Sequence, residues 1–397
     1  MKLLHKASMQ AMEVIIKPYK TLRMNLAICK SFNADFDGDE MNIHVAQTLE
    51  SQTELRLLSA AKYNIISPQG SKPNMCIVQD SLLGAYRMSL GTQKLTKEQF
   101  FNISLKIGDD VLPDVLKRIQ HIRRVLIEKG KKAQCFNGKG LVSLILPDDF
   151  NYEKHNNADP QEPWLRIYKG VIYEGALEKS VIGATNNSII QIINKEYGAD
   201  RASQFIDTIQ FIANNWLLVS GFTVGIKDCI IPPTEINNNG VNKKQQIRDV
   251  VEKCFIEAEN IKTTTNNPNI RELRINAALS KAKDIGLKIA KDALAPTNNF
   301  LSTVNSGSKG DFFNIAQITG LLGQQNLRGQ RVPLLLNNGK RSLPHYPFEN
   351  LTVEQEYESR GFISSSFIHG LNPKEFYMHG MSGREGVSDK VVSVKGS

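Results

Sequence analysis

Asn33-Ala34-Asp35-Phe36-Asp37-Gly38-Asp39-Glu40-Met41-Asn42-Ile43-His44-Val45 is the stretch on which the reading of this chain turns. Its aspartates stand two apart, so in an extended or looped backbone their side chains fall on one side and converge. Gly38 lets the chain curl between the last two. Three carboxylates this close repel one another, and a divalent cation among them relieves the cost. Oxygen-only ligation suits Mg²⁺ or Ca²⁺ rather than zinc. An EF-hand calcium loop is excluded: counted from Asp35, its sixth position should be Gly and its twelfth Glu, but the chain has Glu40 and Ala46. Taken by itself the pattern leaves a solvated acidic turn and a metal loop both open.

Working outward, Leu22 to Ile28 and Met41 to Val45 alternate apolar and polar residues, which predicts two strands flanking the acidic loop. From Glu50 to Ala61 the spacing turns helical, and Ser67-Pro68-Gln69-Gly70-Ser71-Lys72-Pro73 then enforces a loop. Val115, Ile119, Ile122 and Leu126 form an apolar stripe, with Lys117, Arg118, Arg123 and Arg124 opposite. The pattern predicts a basic amphipathic helix with a solvated charged face. A strand is expected at Leu141 to Leu146, a polar loop at His155 to Asp159, a strand pair around Gly170 and a helix from Ala199 to Val219. Ile236-Asn237-Asn238-Asn239-Gly240 reads as a linker, because Asn and Gly favour turns and bury little.

Beyond it, Ile247, Val250, Val251, Cys254, Phe255 and Ala258, then Ile275, Leu279, Ala282, Ile285 and Ile289, recur at helical spacing on either side of Asn266-Asn267-Pro268. Two long helices joined by a short turn are expected, an αα-hairpin. Near the end Asn372 suits an N-cap, Pro373 the first helical position, and Glu375 completes a capping box. The helix so started contains Gly380, Gly383 and Gly386, each costing about 1 kcal/mol against alanine. Close backbone approach or bending accounts for them better than a plain structural helix.

Composition sets the frame. A chain of 397 residues, 41% hydrophobic and 22% charged, exceeds what one core usually serves, so two to four domains are expected. Its formal net charge of +9 favours an anionic partner such as nucleic acid. Cys29, Cys76, Cys135, Cys229 and Cys254 form no C-x-x-C pair, which indicates neither a zinc knuckle nor a disulfide framework and fits a reducing compartment. No run of about 18 apolar residues occurs. The start, with Lys2, His5 and Lys6, lacks the apolar stretch of a secretory signal. A soluble, intracellular protein with no membrane partner is expected.

The run NADFDGDEMNIHV resembles, almost letter for letter, the active-site signature of the largest subunit of multisubunit DNA-directed RNA polymerases. The likeness extends through Leu4-His5-Lys6, the Ser67 to Pro73 loop, Val78-Gln79-Asp80 and Gly221-Phe222-Thr223-Val224-Gly225-Ile226. Glu40-Met41-Asn42 is similar to the eukaryotic, archaeal and large-DNA-virus versions, where the bacterial pattern has Gln followed by Met-Ala. The resemblance implies that Asp35, Asp37 and Asp39 hold the Mg²⁺ at the RNA 3′ end and that Asn33 contacts the ribose of the incoming ribonucleoside triphosphate. A turn-capping role for Asn33 stays open. Gly307-Ser308-Lys309-Gly310 with Phe313-Asn314-Ile315-Ala316-Gln317 resembles the family segment lining the nucleotide entry pore, which implies that Lys309 lies near the triphosphate. Leu371 to Gly386 resembles the bridge helix, with Met381, Gly383, Arg384 and Glu385 facing nucleic acid.

The implied fold is α+β and multidomain. It comprises the C-terminal part of a double-psi β-barrel with the metal loop (1–50), an α+β pore domain (51–235), a helical-hairpin funnel domain (236–345) and the start of a cleft domain with the bridge helix (346–397). Implied partners are the second-largest polymerase subunit and other subunits, DNA template and RNA transcript. The implied location is the nucleus, or host cytoplasm or virion for a virus. The chain departs from the family where Met1-Lys2-Leu3 replaces an Asn-Arg-Gln-Pro run and where Asp389 to Ser397 replaces the continuing bridge helix. The expectation is that part of the nucleotide pocket and the mobile trigger loop lie outside this sequence, through a split gene, an intron read through or an incomplete gene model. A catalytically silent fragment that binds nucleic acid or assembles with polymerase subunits, and a metal-dependent nuclease, are the alternatives.

Overall fold

Helix Gln79–Ser89 and helix Ile189–Ser220 meet so closely that a Cβ on Gly84 would lie 2.8 Å from the Ala213 carbonyl oxygen, and this pair organises the first half of the molecule. The computed structural model describes residues 6–90, 95–108, 111–156, 162–232 and 242–395. The chain divides into two compact units, Met1–Phe222 with Ser302–Lys309, and Thr223–Leu301 with Gly310–Ser397. The Leu4-His5 pair, the 157–159 part of the expected polar loop and the expected linker at 236–240 lie outside the described residues.

In the first unit a three-stranded antiparallel sheet runs Tyr152–His155, Trp164–Tyr168, Val171–Glu174, in that order. Leu165 and Ile167 face the core while Trp164, Arg166 and Tyr168 face out, the period-two pattern of a half-buried strand. The strand pair expected around Gly170 is its second hairpin, turned by Lys169 and Gly170 at φ 46 and 68. Two left-handed residues in a row suit the twist of a tight hairpin. The expected helix at 199–219 is the C-terminal part of Ile189–Ser220, whose backbone leaves helical geometry at Gly198 (φ 87, ψ 171).

Three expectations are corrected here. Residues 22–28 and 41–45 are not strands: Leu26–Ile28 is a 3₁₀ turn running into the short helix Cys29–Phe32, and residues 41–45 carry no regular structure. A strand needs a ladder partner, and Ile43 and Val45 are exposed without one among the described residues. Leu141 to Leu146 is not a strand either, because its first part belongs to helix Gly138–Ser143, capped by the Asn137 side chain accepting from the Gly140 N–H at 2.7 Å. The amphipathic helix forms, as Val115–Glu128, but Arg118 is not on its solvated face. It is 8% exposed, and its guanidinium donates to the carbonyls of Ser143, Leu146 and Gly170 and pairs with Asp148.

The second unit holds the αα-hairpin, Lys243–Thr264 and Pro268–Ala293. The turn closes as its sequence dictates, since the Asn267 side chain accepts from the N–H groups of Asn269 and Ile270 at 3.0 and 3.3 Å and Pro268 opens the second helix. Ile247, Val251, Cys254 and Ala258 bury against Ile275, Leu279 and Ala282. Phe255 stacks on Tyr357 with ring centroids 4.8 Å apart. Glu272 ties the hairpin to the later chain by accepting from Arg331 at 2.7 and 2.8 Å and from Arg360 at 3.1 Å. The last helix, Pro373–Lys395, begins at the expected capping box: Asn372 and Glu375 exchange hydrogen bonds of 3.0 and 2.8 Å. A Cβ on Gly380, Gly383 or Gly386 would meet nothing within 4 Å, so no contact among the described residues requires these glycines.

Candidate metal centre

The acidic loop is held at both ends. Upstream, Asn25 caps the first turn by accepting from the Ala27 N–H at 2.9 Å, and its amide donates to Asp207 at 2.8 Å. Ala27, Ile28, Cys29 and Phe32 sink into the core of the first unit. Ser31 adds polar anchors, its hydroxyl accepting from Asn74 at 2.7 Å and its carbonyl from Ser8 at 3.2 Å. The helical turn stops at Asn33, which adopts the left-handed conformation (φ 45, ψ 45) that Asn tolerates better than most residues. Its N–H and that of Ala34 satisfy the Lys30 and Cys29 carbonyls at 3.2 and 3.0 Å. Downstream Met41 packs against the same core as Ala34, so the chain from Asp35 to Glu40 bridges two fixed points.

Between those points Gly38 sits at φ 113 with open space where a Cβ would be; the backbone conformation, not crowding, calls for glycine. The Asp35 N–H donates to the Asp39 carboxylate at 3.1 Å. The result is a nest in which Asp35, Asp37 and Asp39 each offer an oxygen within 4.8 Å of the others, two of the residues exposed and Asp39 half-buried. No other group of three His, Cys, Asp or Glu side chains meets that geometry among the described residues. The donor set fits a hard cation. Octahedral Mg²⁺ at about 2.0–2.1 Å holds its oxygens roughly 3–4 Å apart, so the nest needs only a small closure to grip one.

The remaining expected site residues are dispersed. Lys309 is exposed on a tight turn after Gly307 (φ 73), its N–H reaching the Thr303 carbonyl at 3.5 Å, and no described contact joins it to the aspartates. Met381, Gly383, Arg384 and Glu385 lie on helix Pro373–Lys395 of the second unit. Met381 packs against the small cluster of Leu322, Val332 and Tyr346, while Gly383 and Arg384 are exposed. Glu385 has a contact that sequence reasoning missed: both its oxygens accept from the Arg328 N–H, at 2.7 and 3.0 Å, and Arg328 is left-handed (φ 48). The Arg328-Gly329 pair between two short polar-apolar runs was the available signal for that turn.

A carboxylate nest on an anchored loop, in a basic α+β chain, defines a class: proteins presenting a hard-cation site built on oxygen donors. Comparison with known proteins narrows it. Residues 3–61, 64–229 and 255–363 match the families described as RNA polymerase Rpb1 domain 2, domain 3 and domain 4. The chain is 47% identical, over 98% of its length, to the "Probable DNA-directed RNA polymerase II subunit RPB1 homolog" of Invertebrate iridescent virus 6, and it spans 38% of that protein. The chain belongs to the family of largest subunits of multisubunit DNA-directed RNA polymerases.

Proposed function

We propose that this chain supplies the catalytic metal loop of a DNA-directed RNA polymerase and takes part in template-directed transfer of ribonucleotides to an RNA 3′ end. The observation that carries the reading is the convergence of Asp35, Asp37 and Asp39 on one point of an anchored loop. In this reading those carboxylates hold Mg²⁺, which when bound acidifies the 3′ hydroxyl and screens charge developing on the α-phosphate. Asp35 and Asp39 keep the loop curled through their own hydrogen bond, so the donor set is preorganised before any ligand arrives. Asn33, at the hinge of the loop, offers an amide with donor and acceptor to the ribose of the incoming nucleotide. Lys309, on its exposed turn, provides a positive charge for the triphosphate.

The same reading assigns residues 1–50 to the barrel, 51–235 to the pore, 236–345 to the funnel and 346–397 to the cleft with the bridge helix. Met381, Gly383, Arg384 and Glu385 then face the template and hybrid. The second-largest subunit and further subunits, DNA and RNA are the partners, at work in the nucleus or, for a virus, in host cytoplasm or virion. The test is Mg²⁺-dependent primer extension by the chain assembled with its polymerase partners. Extension should vanish in Asp37→Ala; extension that survives the substitution refutes the metal assignment, and an assembled complex that binds nucleic acid without extending it favours the silent-fragment alternative.

A further inference from the structure

The chain's charge is not evenly spread. Between Lys117 and Lys132 stand seven Lys and Arg and one Glu, a local excess of six within a chain whose total is nine. Arg118 is spent inward; the others line the outer side of helix Val115–Glu128 and the loop that follows it. Two of them, Lys117 and Lys131, pair with Asp114 and Glu174, while two others, Arg123 and Lys129, are held by rings instead. The Lys129 ammonium lies 3.6 Å from the Tyr168 ring centroid and 5.7 Å from that of Tyr173. The Arg123 guanidinium lies 5.3 Å and the Lys97 ammonium 5.9 Å from the centroid of Phe136.

A carboxylate partner cancels a cation's outward field, whereas a ring fixes its position and leaves the charge in place. The contrast is visible next door, where Arg166 is neutralised by Glu153 and Glu174 at 2.7 and 3.0 Å. Among the described residues Arg123, Arg124, Lys129 and Lys132 have no ion pair. Beside them opens a cavity of about 150 Å³ lined by Lys131, Lys132, Gln134 and Asn137 together with the apolar Ile122, Leu126 and Ile172.

We infer that this face of the first unit is a nucleic-acid binding surface separate from the aspartate loop, gripping the phosphate backbone of a strand through Arg123, Arg124, Lys129 and Lys132. Uncancelled cations, two of them fixed in position by rings, are what a phosphate backbone requires. An acidic protein segment would meet the same cations, but without the regularly spaced phosphates of a nucleic-acid strand. The contacts are to phosphate and carry no base code, so binding tracks salt and not sequence. The inference rests on charge placement and stands or falls independently of the metal reading.

The experiment measures anisotropy of a labelled mixed-sequence single-stranded RNA of about 20 nucleotides on the full chain, with EDTA present and across a salt series. Parallel arms use the same sequence as single-stranded DNA and as duplex DNA, and a poly-glutamate peptide of matched charge. Arg123→Gln/Arg124→Gln/Lys129→Gln/Lys132→Gln should weaken RNA binding at least tenfold at about 0.1 M salt and flatten the log–log salt slope by roughly 2–3, at about 0.7 per lost phosphate contact. Lys20→Gln/Lys195→Gln/Lys253→Gln/Lys288→Gln removes the same charge from exposed positions elsewhere and should change binding less than about threefold. Circular dichroism and the melting midpoint confirm that both variants are folded. Equal binding of RNA and DNA identifies the phosphate backbone, and a preference for RNA adds the 2′-hydroxyl; either supports the surface. Equal losses in the two variants, or tighter binding of poly-glutamate than of RNA, overturn it.

Discussion

The main-chain N–H of Asp35 donates to the carboxylate of Asp39 at 3.1 Å, so one of the three candidate metal ligands also shapes the loop that carries the other two. Asp37 has no such bond among the described residues, which separates the two roles. Asp37→Asn should lower Mn²⁺ affinity at least tenfold, as judged by titration calorimetry or EPR, with loop proteolysis unchanged, since an amide offers a weaker, uncharged donor. Asp39→Ala, which removes the acceptor as well as the charge, should lower affinity similarly and also speed proteolytic nicking near Gly38. Unchanged Mn²⁺ affinity in Asp37→Asn would falsify the nest as a metal site.

Arg118 makes a second prediction. Burial, assisted by the nearby Arg201 charge, brings its guanidinium down to about 10, so it remains a cation at neutral pH inside the first unit. Three carbonyls depend on it. Arg118→Met keeps most of the volume but strands them, at a cost of about 3 kcal/mol or more in urea unfolding. Arg124→Met, one helical turn and a half away on the exposed side, should cost within about 0.5 kcal/mol. Similar small losses for both would show that the buried guanidinium is not a structural tie.

These residues also mark what the sequence could disclose. Local chemistry was legible: the Asn267-Pro268 turn, the Asn372 to Glu375 capping box and the hairpin stripes are set by neighbours within four residues, and each formed. The aspartate spacing and Gly38 were enough to anticipate a convergent nest. Arg118 was not legible, because its partners lie 25 to 52 residues away and its helical position alone places it with its exposed neighbours. The run at 141–146 is apolar but for Ser143, and so short an apolar run cannot be assigned to helix or strand by periodicity. Close approach decides it: a Cβ on Gly140 would fall 1.9 Å from the Cys135 carbonyl oxygen, a fit only glycine allows. Residues 22–28 and 41–45 carry a strand's alternation, yet alternation describes a surface and not its partner.

Acid should loosen the second unit through Glu272. Burial alone would raise its carboxyl, but hydrogen bonds from Arg331 and the charges of Arg331 and Arg360 bring it below the usual carboxylate range. A depressed folded value means the stabilisation is complete above the unfolded value of about 4.3 and is lost as pH falls through the folded one. The melting midpoint should therefore drop on going from about pH 5 to pH 3, and Glu272→Gln should lose about 2–4 kcal/mol at neutral pH, leaving Arg331, 3% exposed as a side chain, without its partner. In that variant the acid-dependent part of the drop should shrink. A wild-type and a Glu272→Gln curve of identical slope over that range would rule out this linkage.

Gly383 separates stability from function on helix Pro373–Lys395. Its exposed position and the open space around a would-be Cβ mean that Gly383→Ala adds helix propensity at no steric cost within the chain. Stability should rise by about 1 kcal/mol, seen as a midpoint higher by roughly 1 °C for a chain of this size. If the helix borders nucleic acid as proposed, the same methyl should intrude where a partner backbone or base approaches, and nucleotide addition by the assembled polymerase should fall about tenfold or more. The two effects have opposite signs, which a purely structural role for the glycine cannot produce. A stabilised variant that extends RNA at the wild-type rate would remove Gly383 from the proposed interface, and a destabilised one would contradict the open space itself.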